Sequence, residues 1–146
     1  MFPETMKTMN YPKAYFYKRI VQAKMYIDEH FAEPIDVHHI ANEAFFSKFH
    51  FIRQFKKVYG QTPHQYLTYV RIQQAKVLLE SNHSVSETCH LVGYDSLSSF
   101  SNLFKRLVKV SPSTYLALQQ KRQRLAQQAP LQFVPGCFAQ RYGWKK

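Results

Sequence analysis

The chain has 146 residues, 45% of them hydrophobic, and a formal net charge of +11. This length allows one domain or two very small ones, and the hydrophobic content excludes bulk disorder because it is enough for a packed core. The charge indicates a polyanionic partner, either a nucleic acid or an anionic membrane surface. Every acidic residue lies at or before Asp95, so the C-terminal third is purely cationic.

Several classes of protein find no support in the sequence. The two cysteines and seven histidines show no spacing typical of a zinc site, and adjacent residues such as His38 and His39 diverge by about 100° around a helix, which prevents shared ligation. We find no glycine-rich phosphate loop and no pairing of a nucleophile with a base, so we expect no catalytic residues, no metal and no cofactor. Without a secretory signal or an apolar run long enough to span a membrane, the sequence predicts a cytoplasmic protein with no membrane partner.

The first predicted element is a helix that follows a loose arm ending near Pro12. It begins at Lys13, and Glu33-Pro34 ends it. Its apolar residues recur at helical spacing on one face: Phe16, Ile20, Ala23, Ile27 and Phe31.

A helix-turn-helix pattern follows. Asp36 is placed to cap a short helix, whose inward residues are Val37, Ile40, Ala41 and Ala44. Phe45-Phe46 forms the turn, Ser47 caps a second helix over residues 48–59, and Gly60 closes it. Two such helices, the second with an exposed basic face, are typical of this motif.

A long helix is predicted next. Thr62 is its N-cap and Pro63 its first residue, and it runs to about Ser81, roughly 28 Å at 1.5 Å per residue. The pattern predicts that one side is apolar: Tyr66, Val70, Ala75, Val77 and Leu78.

The helix-turn-helix pattern then returns. Ser84 and Glu87 form a capping box before a short helix with Val85, Thr88, Cys89 and Val92; residues 93–95 form the turn, and residues 96–108 the second helix. Ser111-Pro112 repeats the signal of Thr62-Pro63 and opens a last helix. Upstream of the turn the two copies match 48 residues apart and downstream 49, so the second turn has one extra residue.

The predicted fold is all-α, with two helix-turn-helix subdomains joined by a long linker helix. The divisions are an N-terminal arm (1–17), a first subdomain (18–61), the linker helix (62–82), a second subdomain (83–129) and an aromatic, basic tail (130–146). The tail carries Phe133, Phe138, Tyr142 and Trp144, which either fold back on the domain or form a partner contact.

These residues resemble the DNA-binding region of the AraC/XylS family of bacterial transcription regulators. The first half resembles it through Ser47-Lys48-Phe49-His50-Phe51, Arg53, Phe55-Lys56 and Gly60-x-Thr62-Pro63-x-x-Tyr66, and the second through Val92-Gly93-Tyr94-Asp95-Ser96, Phe100-Ser101, Phe104-Lys105 and Ser111-Pro112-x-x-Tyr115. Two departures are Phe45, where the second copy has Gly93, and Val110, where a glycine is frequent. Because only the short arm precedes the first helix, we expect no effector-binding domain, as in single-domain members of the family.

In this motif the N-terminal residues of the second helix face base edges in the major groove. In the first copy we expect Phe51, Phe55 and Val58 to point inward. Phe49, Ile52 and Arg53 then face bases, and Ser47, Lys48, Lys56 and Lys57 face phosphates. Arg53 is suited to a guanine, although a phosphate contact is the alternative. Phe49 is either a thymine-methyl contact or a core residue.

In the second copy Phe100, Leu103 and Phe104 point inward. The expected base-reading residues are Leu97, Ser98, Ser99 and Asn102, and the backbone contacts are Ser96, Lys105 and Arg106. Asn102 is suited to an adenine. Since this helix has few long-reaching donors, we expect less base discrimination from it than from the first.

The predicted function is sequence-specific binding of double-stranded promoter DNA by a monomer that regulates transcription. The predicted location is therefore the cytoplasm, in association with the nucleoid. Activation, with RNA polymerase as a partner, is what the family resemblance implies. Two other hypotheses are an enzyme or small-molecule binder with an incidental basic surface, and a non-specific nucleoid protein.

Overall fold

The computed structural model describes residues 11–44 and 47–128, and this part of the chain contains seven α-helices and no strand. The helices are α1 (Tyr11–His30), α2 (Val37–Glu43), α3 (Lys48–Tyr59), α4 (Pro63–Glu80), α5 (Val85–Leu91), α6 (Leu97–Val108) and α7 (Pro112–Gln128). The all-α prediction is confirmed. The predictions for the loose arm up to residue 10, for the Phe45-Phe46 turn and for the tail lie outside the described residues.

The chain forms two compact units, a first unit of Met1–Gln74 and a second unit of Ala75–Lys146. The boundary falls inside α4, so this helix contributes residues to both. The predicted division into an arm, two subdomains, a linker helix and a tail stays a prediction.

The first unit is built around α1, α2 and α3, which pack against one another. α1 begins at Tyr11, two residues before the predicted start, and ends at His30. Its predicted apolar face is confirmed, because Ile20, Ala23 and Ile27 are fully buried and Phe16 and Phe31 pack at the edge of the core. The other core residues are Ile40, Ala41, Ala44, Phe51, Phe55, Tyr66, Leu67 and Val70.

The second unit is built around α5, α6 and α7, which pack against one another. α5 and α6 are the counterparts of α2 and α3, and α7 is the counterpart of α4. Thr88, Cys89, Val92, Phe100 and Phe104 are buried, as the pattern predicts. Cys89 is a free thiol whose pKa is raised by burial and by nearby Asp95. It is therefore a packing residue, and a poor nucleophile.

The helix caps confirm the duplication at atomic level. The backbone N–H of His39 donates to Asp36 at 2.9 Å, and Ser84 forms a reciprocal capping box with Glu87. At the start of α4 the N–H of Gln65 donates to Thr62, while the N–H of Thr62 donates to the Gln65 side chain. The first residues of α2 and α5 lie 48 positions apart, and those of α3 and α6 lie 49 apart, which confirms the extra residue in the second turn.

The ends of α3 and α6 share a left-handed backbone but differ in residue. Gly60 has φ of 74° and Lys109, at the equivalent position, has φ of 75°. Glycine adopts this conformation freely, whereas an L-residue with a Cβ is strained by about 1–2 kcal/mol.

Two opposite changes at these positions test the strain. Gly60→Ala is expected to lower the free energy of unfolding by about 1–2 kcal/mol, although nothing lies within 4 Å of the added Cβ. Lys109→Gly is expected to raise it by about 1 kcal/mol. Urea unfolding followed by circular dichroism measures both. Lys109→Ala is the control, since it removes the charge and keeps the Cβ; a gain as large as that of Lys109→Gly would contradict the explanation.

Each unit also has a tyrosine that ties its last helix to its first. The Tyr66 hydroxyl donates to Asp28 at 2.6 Å, and the Tyr115 hydroxyl donates to Glu80 at 2.5 Å. Burial and the bond to Glu80 raise the pKa of Tyr115 to about 12, so the hydroxyl is protonated at neutral pH and able to donate. The rings of the same two tyrosines pack against α3 and α6, with centroid distances of 5.8 Å from Tyr66 to Phe55 and 5.6 Å from Tyr115 to Phe104.

The apolar face predicted for α4 is only partly correct. Tyr66, Val70 and Ala75 are buried and Leu78 is half-buried, but Val77 is 53% exposed. Ala75 lies about 180° around the helix from Tyr66, so the two halves of α4 bury different faces. Val77 lies at nearly the same angle around the helix axis as Tyr66, on a face that is covered only in the first half of the helix.

Candidate nucleic-acid interface

The outward face of α3 is set by two buried phenylalanines. Phe51 and Phe55 are fully buried, with ring centroids 5.6 Å apart. At 100° per residue, Phe49, Arg53 and Lys56 lie on the opposite side of the helix. All three are exposed, and Phe49 is 74% exposed. This exposure rules out the interpretation of Phe49 as a core residue, since the side chain is on the surface.

The remaining candidates on α3 flank this line. Ile52 is half-buried, and Ser47, Lys48 and Lys57 are exposed. Ser47 is the N-cap residue, as predicted, but its side chain makes no capping hydrogen bond. Val58 was expected to point inward, and this prediction is wrong. The residue is 37% exposed, because Tyr59 packs against the core in its place.

The outward face of α6 is built in the same way. Phe100 and Phe104 are fully buried, with centroids 5.8 Å apart, and this places Ser98, Asn102 and Lys105 on the exposed side. Leu97, Ser99 and Arg106 are exposed beside them, while Leu103 is half-buried. Ser96 caps the helix by accepting from the Ser99 N–H at 3.3 Å, and its hydroxyl lies 3.1 Å from that of Ser98.

Matching the two helices from their caps gives equivalent positions 49 residues apart. Arg53 is equivalent to Asn102, and Lys56 and Lys57 are equivalent to Lys105 and Arg106. Neither helix contains an acidic residue. Each therefore offers a hydrogen-bonding side chain in the middle of its exposed face and two cations near its end, an arrangement suited to base edges flanked by phosphates.

Sequence reasoning missed the side-chain contacts that join the segments of the first unit. Arg71 on α4 donates to the backbone oxygens of Phe31 at 2.7 Å and Glu33 at 2.8 Å, which fixes the segment after α1. Lys24 pairs with Asp28 at 2.8 Å beside Tyr66. The repeated Pro-x-x-Tyr spacing was the available signal for the tyrosine contacts, but the partner carboxylates have no pattern of their own.

Other kinds of site find little support among the described residues. His38 and His39 are both exposed, and within residues 11–44 and 47–128 no group of three potential ligands is placed to hold a metal ion. In the same part of the chain, no helix combines the length and the apolar character needed to cross a membrane.

Comparison with known families and proteins gives concordant matches. A family profile described as a helix-turn-helix domain matches residues 40–118, more than half of the chain. The chain is 38% identical over 91 residues to the probable transcriptional regulator LumQ of Photobacterium leiognathi, a match that covers 62% of this chain and 37% of LumQ. It is 35% identical over 95 residues to the HTH-type transcriptional activator RhaS of Salmonella schwarzengrund, covering 64% of this chain and 34% of RhaS. The chain thus spans about a third of the length of these relatives.

The fold is also similar to solved structures. The DNA-binding domain of AdpA, a global transcriptional factor crystallised with a target DNA, superposes with a TM-score of 0.69 at 31% identity. That match covers 72% of this chain and 96% of the AdpA domain, so nearly the whole of a DNA-bound domain has its counterpart in the residues described above.

Proposed function

Because the chain belongs to the family of AraC-type helix-turn-helix proteins, we propose that it is a sequence-specific DNA-binding regulator of transcription. The observation that carries the proposal is the duplicated exposed face of α3 and α6. Each face is held outward by a pair of fully buried phenylalanines and is free of acidic residues. Neither a metal site nor a catalytic site would account for two matched exposed faces of this kind.

The base-reading residues of the proposal are those on the N-terminal and central turns of the two helices: Phe49, Ile52, Arg53, Leu97, Ser98, Ser99 and Asn102. The backbone contacts are the residues at the caps and the cationic ends: Ser47, Lys48, Lys56, Lys57, Ser96, Lys105 and Arg106. Exposure of all but the half-buried Ile52 supports these roles.

The two helices differ in sequence, so the site is asymmetric. One chain occupies both half-sites, with α3 and α6 in successive major grooves about 34 Å apart, one turn of DNA. A footprint on promoter fragments from the source genome, combined with the stoichiometry of the complex, tests this arrangement. A strict palindrome bound by two chains would overturn it.

Activation is the favoured direction of regulation, with RNA polymerase as the partner. The support is the similarity to RhaS, which is itself a transcriptional activator. A reporter gene placed behind the footprinted promoter is expected to rise in expression when the protein is present.

A mobility shift with specific and scrambled competitor DNA tests the core of the proposal. Specific competitor is expected to displace the labelled promoter fragment at a concentration at least about 1,000-fold lower than scrambled DNA does. Equal displacement by both competitors would make the protein a non-specific nucleoid component instead.

Salt dependence tests the backbone contacts separately. Lys105→Ala is expected to weaken binding to specific and random DNA about equally, because a phosphate contact carries no sequence information. The slope of log K against log salt should become shallower by about 0.9, since one fewer counterion is released. Fluorescence anisotropy at several salt concentrations measures both effects.

Lys18→Ala is the matched control for the salt experiment. Lys18 is also an exposed lysine, but it lies on the face of α1 opposite Ile20 and Ile27, away from the core and from α3. Its removal should leave the slope unchanged. An unchanged slope for Lys105→Ala would remove Lys105 from the backbone contacts.

A further inference from the structure

Phe49 is the most exposed large hydrophobic side chain in residues 11–44 and 47–128, with 74% of its surface accessible. It is the second residue of α3 and lies opposite the buried Phe51 and Phe55. Isolated exposed apolar residues are common on protein surfaces and call for no explanation by themselves. Phe49 differs because its ring lies on the face proposed to meet base edges, one turn before Arg53.

Ile52 extends this apolar surface. It lies three residues after Phe49, a spacing at which side chains are neighbours on a helix, and it is half-buried. The equivalent positions on α6 are Ser98 and Ser101, so the second unit has no such apolar pair. The pair is therefore a property of the first recognition helix alone.

The chemistry of the major groove offers one match to an apolar pair. Base edges there present hydrogen-bond donors and acceptors, and the apolar group among them is the C5-methyl of thymine. A cytosine methylated at C5 carries the same group at the same place on the ring. We infer that Phe49, supported by Ile52, is a binding site for the C5-methyl group of a pyrimidine, which is either thymine or 5-methylcytosine. The inference rests on the proposed function, since it concerns the same interface.

The spacing on the helix locates this base relative to the guanine proposed for Arg53. Phe49 and Arg53 are four residues apart, which is about 6 Å along the helix axis. Base pairs are stacked about 3.4 Å apart. The methyl-bearing pyrimidine therefore lies within two base pairs of that guanine.

Removal of single methyl groups from the DNA tests the site directly. The probe is the duplex that the full chain selects from random DNA, with each thymine replaced in turn by deoxyuridine. This change removes one methyl group and keeps every hydrogen-bonding group. The wild-type protein is expected to lose about fourfold in affinity at one or two thymines near the guanine, the value for one buried methyl group.

Two variants assign the effect to Phe49. Phe49→Ala is expected to bind the thymine and deoxyuridine duplexes equally, and its folding is preserved because the side chain is exposed. Lys18→Ala, an exposed residue outside the proposed interface, should keep the full fourfold response. A response that survives in Phe49→Ala would assign the methyl contact to another residue and overturn the inference.

The second arm replaces the critical thymine–adenine pair by cytosine–guanine, with and without a C5-methyl group. Wild-type protein should bind the methylated duplex about fourfold more tightly than the unmethylated one, and Phe49→Ala should not distinguish them. If selection enriches no sequence, the proposed function itself fails. If a site is enriched but no deoxyuridine or methylcytosine substitution changes its affinity, specific binding stands and the methyl site is overturned.

Discussion

Phe104→Ala is expected to lower the free energy of unfolding of the second unit by about 3–5 kcal/mol, the largest effect of any single change considered for this chain. Phe104 is fully buried, and its ring lies 5.8 Å from that of Phe100 and 5.6 Å, edge-on, from that of Tyr115. The truncation leaves a cavity where three helices meet. Since small domains are stable by only about 5–15 kcal/mol, a large part of the total is lost.

Thermal unfolding followed by circular dichroism measures this loss, and a fall in Tm of at least about 10 °C is expected. Leu107→Ala is the matched control on the same helix. Leu107 is 48% exposed and should cost less than about 0.5 kcal/mol. A similar loss for the two variants would mean that the α6 phenylalanines do not carry the core, and the outward face deduced from them would then be wrong.

Arg53→Ala is expected to cost about 1–3 kcal/mol on the cognate site and to relax the preference at one base position. The guanidinium is exposed on the side of α3 opposite Phe51 and Phe55, where its fork can bond O6 and N7 of a guanine together. Random-sequence DNA should lose much less, because it offers no matched guanine.

The measurement is a binding titration on the cognate duplex and on its variants with each of the four base pairs at the suspected position. Circular dichroism checks folding, which alanine should preserve because it is a good helix former. Lys57→Ala, four residues on, is the control for a backbone contact and should weaken all duplexes alike. If Arg53→Ala behaves in the same way, Arg53 binds a phosphate, and base reading in the first unit then rests on Phe49 and Ile52.

The local signals of the chain predicted most of the elements. Capping residues act within three positions of the bond they make, so Asp36, Thr62 and Ser84 marked their helix starts correctly. Ser47 is the exception, since the residue is at the predicted cap position but its hydroxyl makes no capping bond. The position of a cap depends on residues nearby in the sequence. The rotamer of the Ser47 side chain also depends on its surroundings in the folded protein.

The errors occurred where the apolar positions of a helix continue beyond the neighbouring helix that would cover them. Val58 and Val77 lie at apolar positions of their helices and are nevertheless 37% and 53% exposed. Periodicity gives the angle of a residue around its helix, but burial also requires a neighbouring helix at that height. The core beside α3 is completed by Tyr59, and α4 changes its buried face along its length.

The sequence by itself determined the duplication, the family and which two helices carry the candidate DNA-binding surface. These features depend on caps, turn residues and short-range periodicity, which involve residues only a few positions apart. The tertiary structure alone decided which side chains are covered and which contacts join distant segments. Phe49 on the surface, Tyr66 bound to Asp28 and Arg71 bound to the backbone after α1 all depend on residues that are far apart in the chain. Such contacts form only when helices pack, so no local pattern in the sequence contains them.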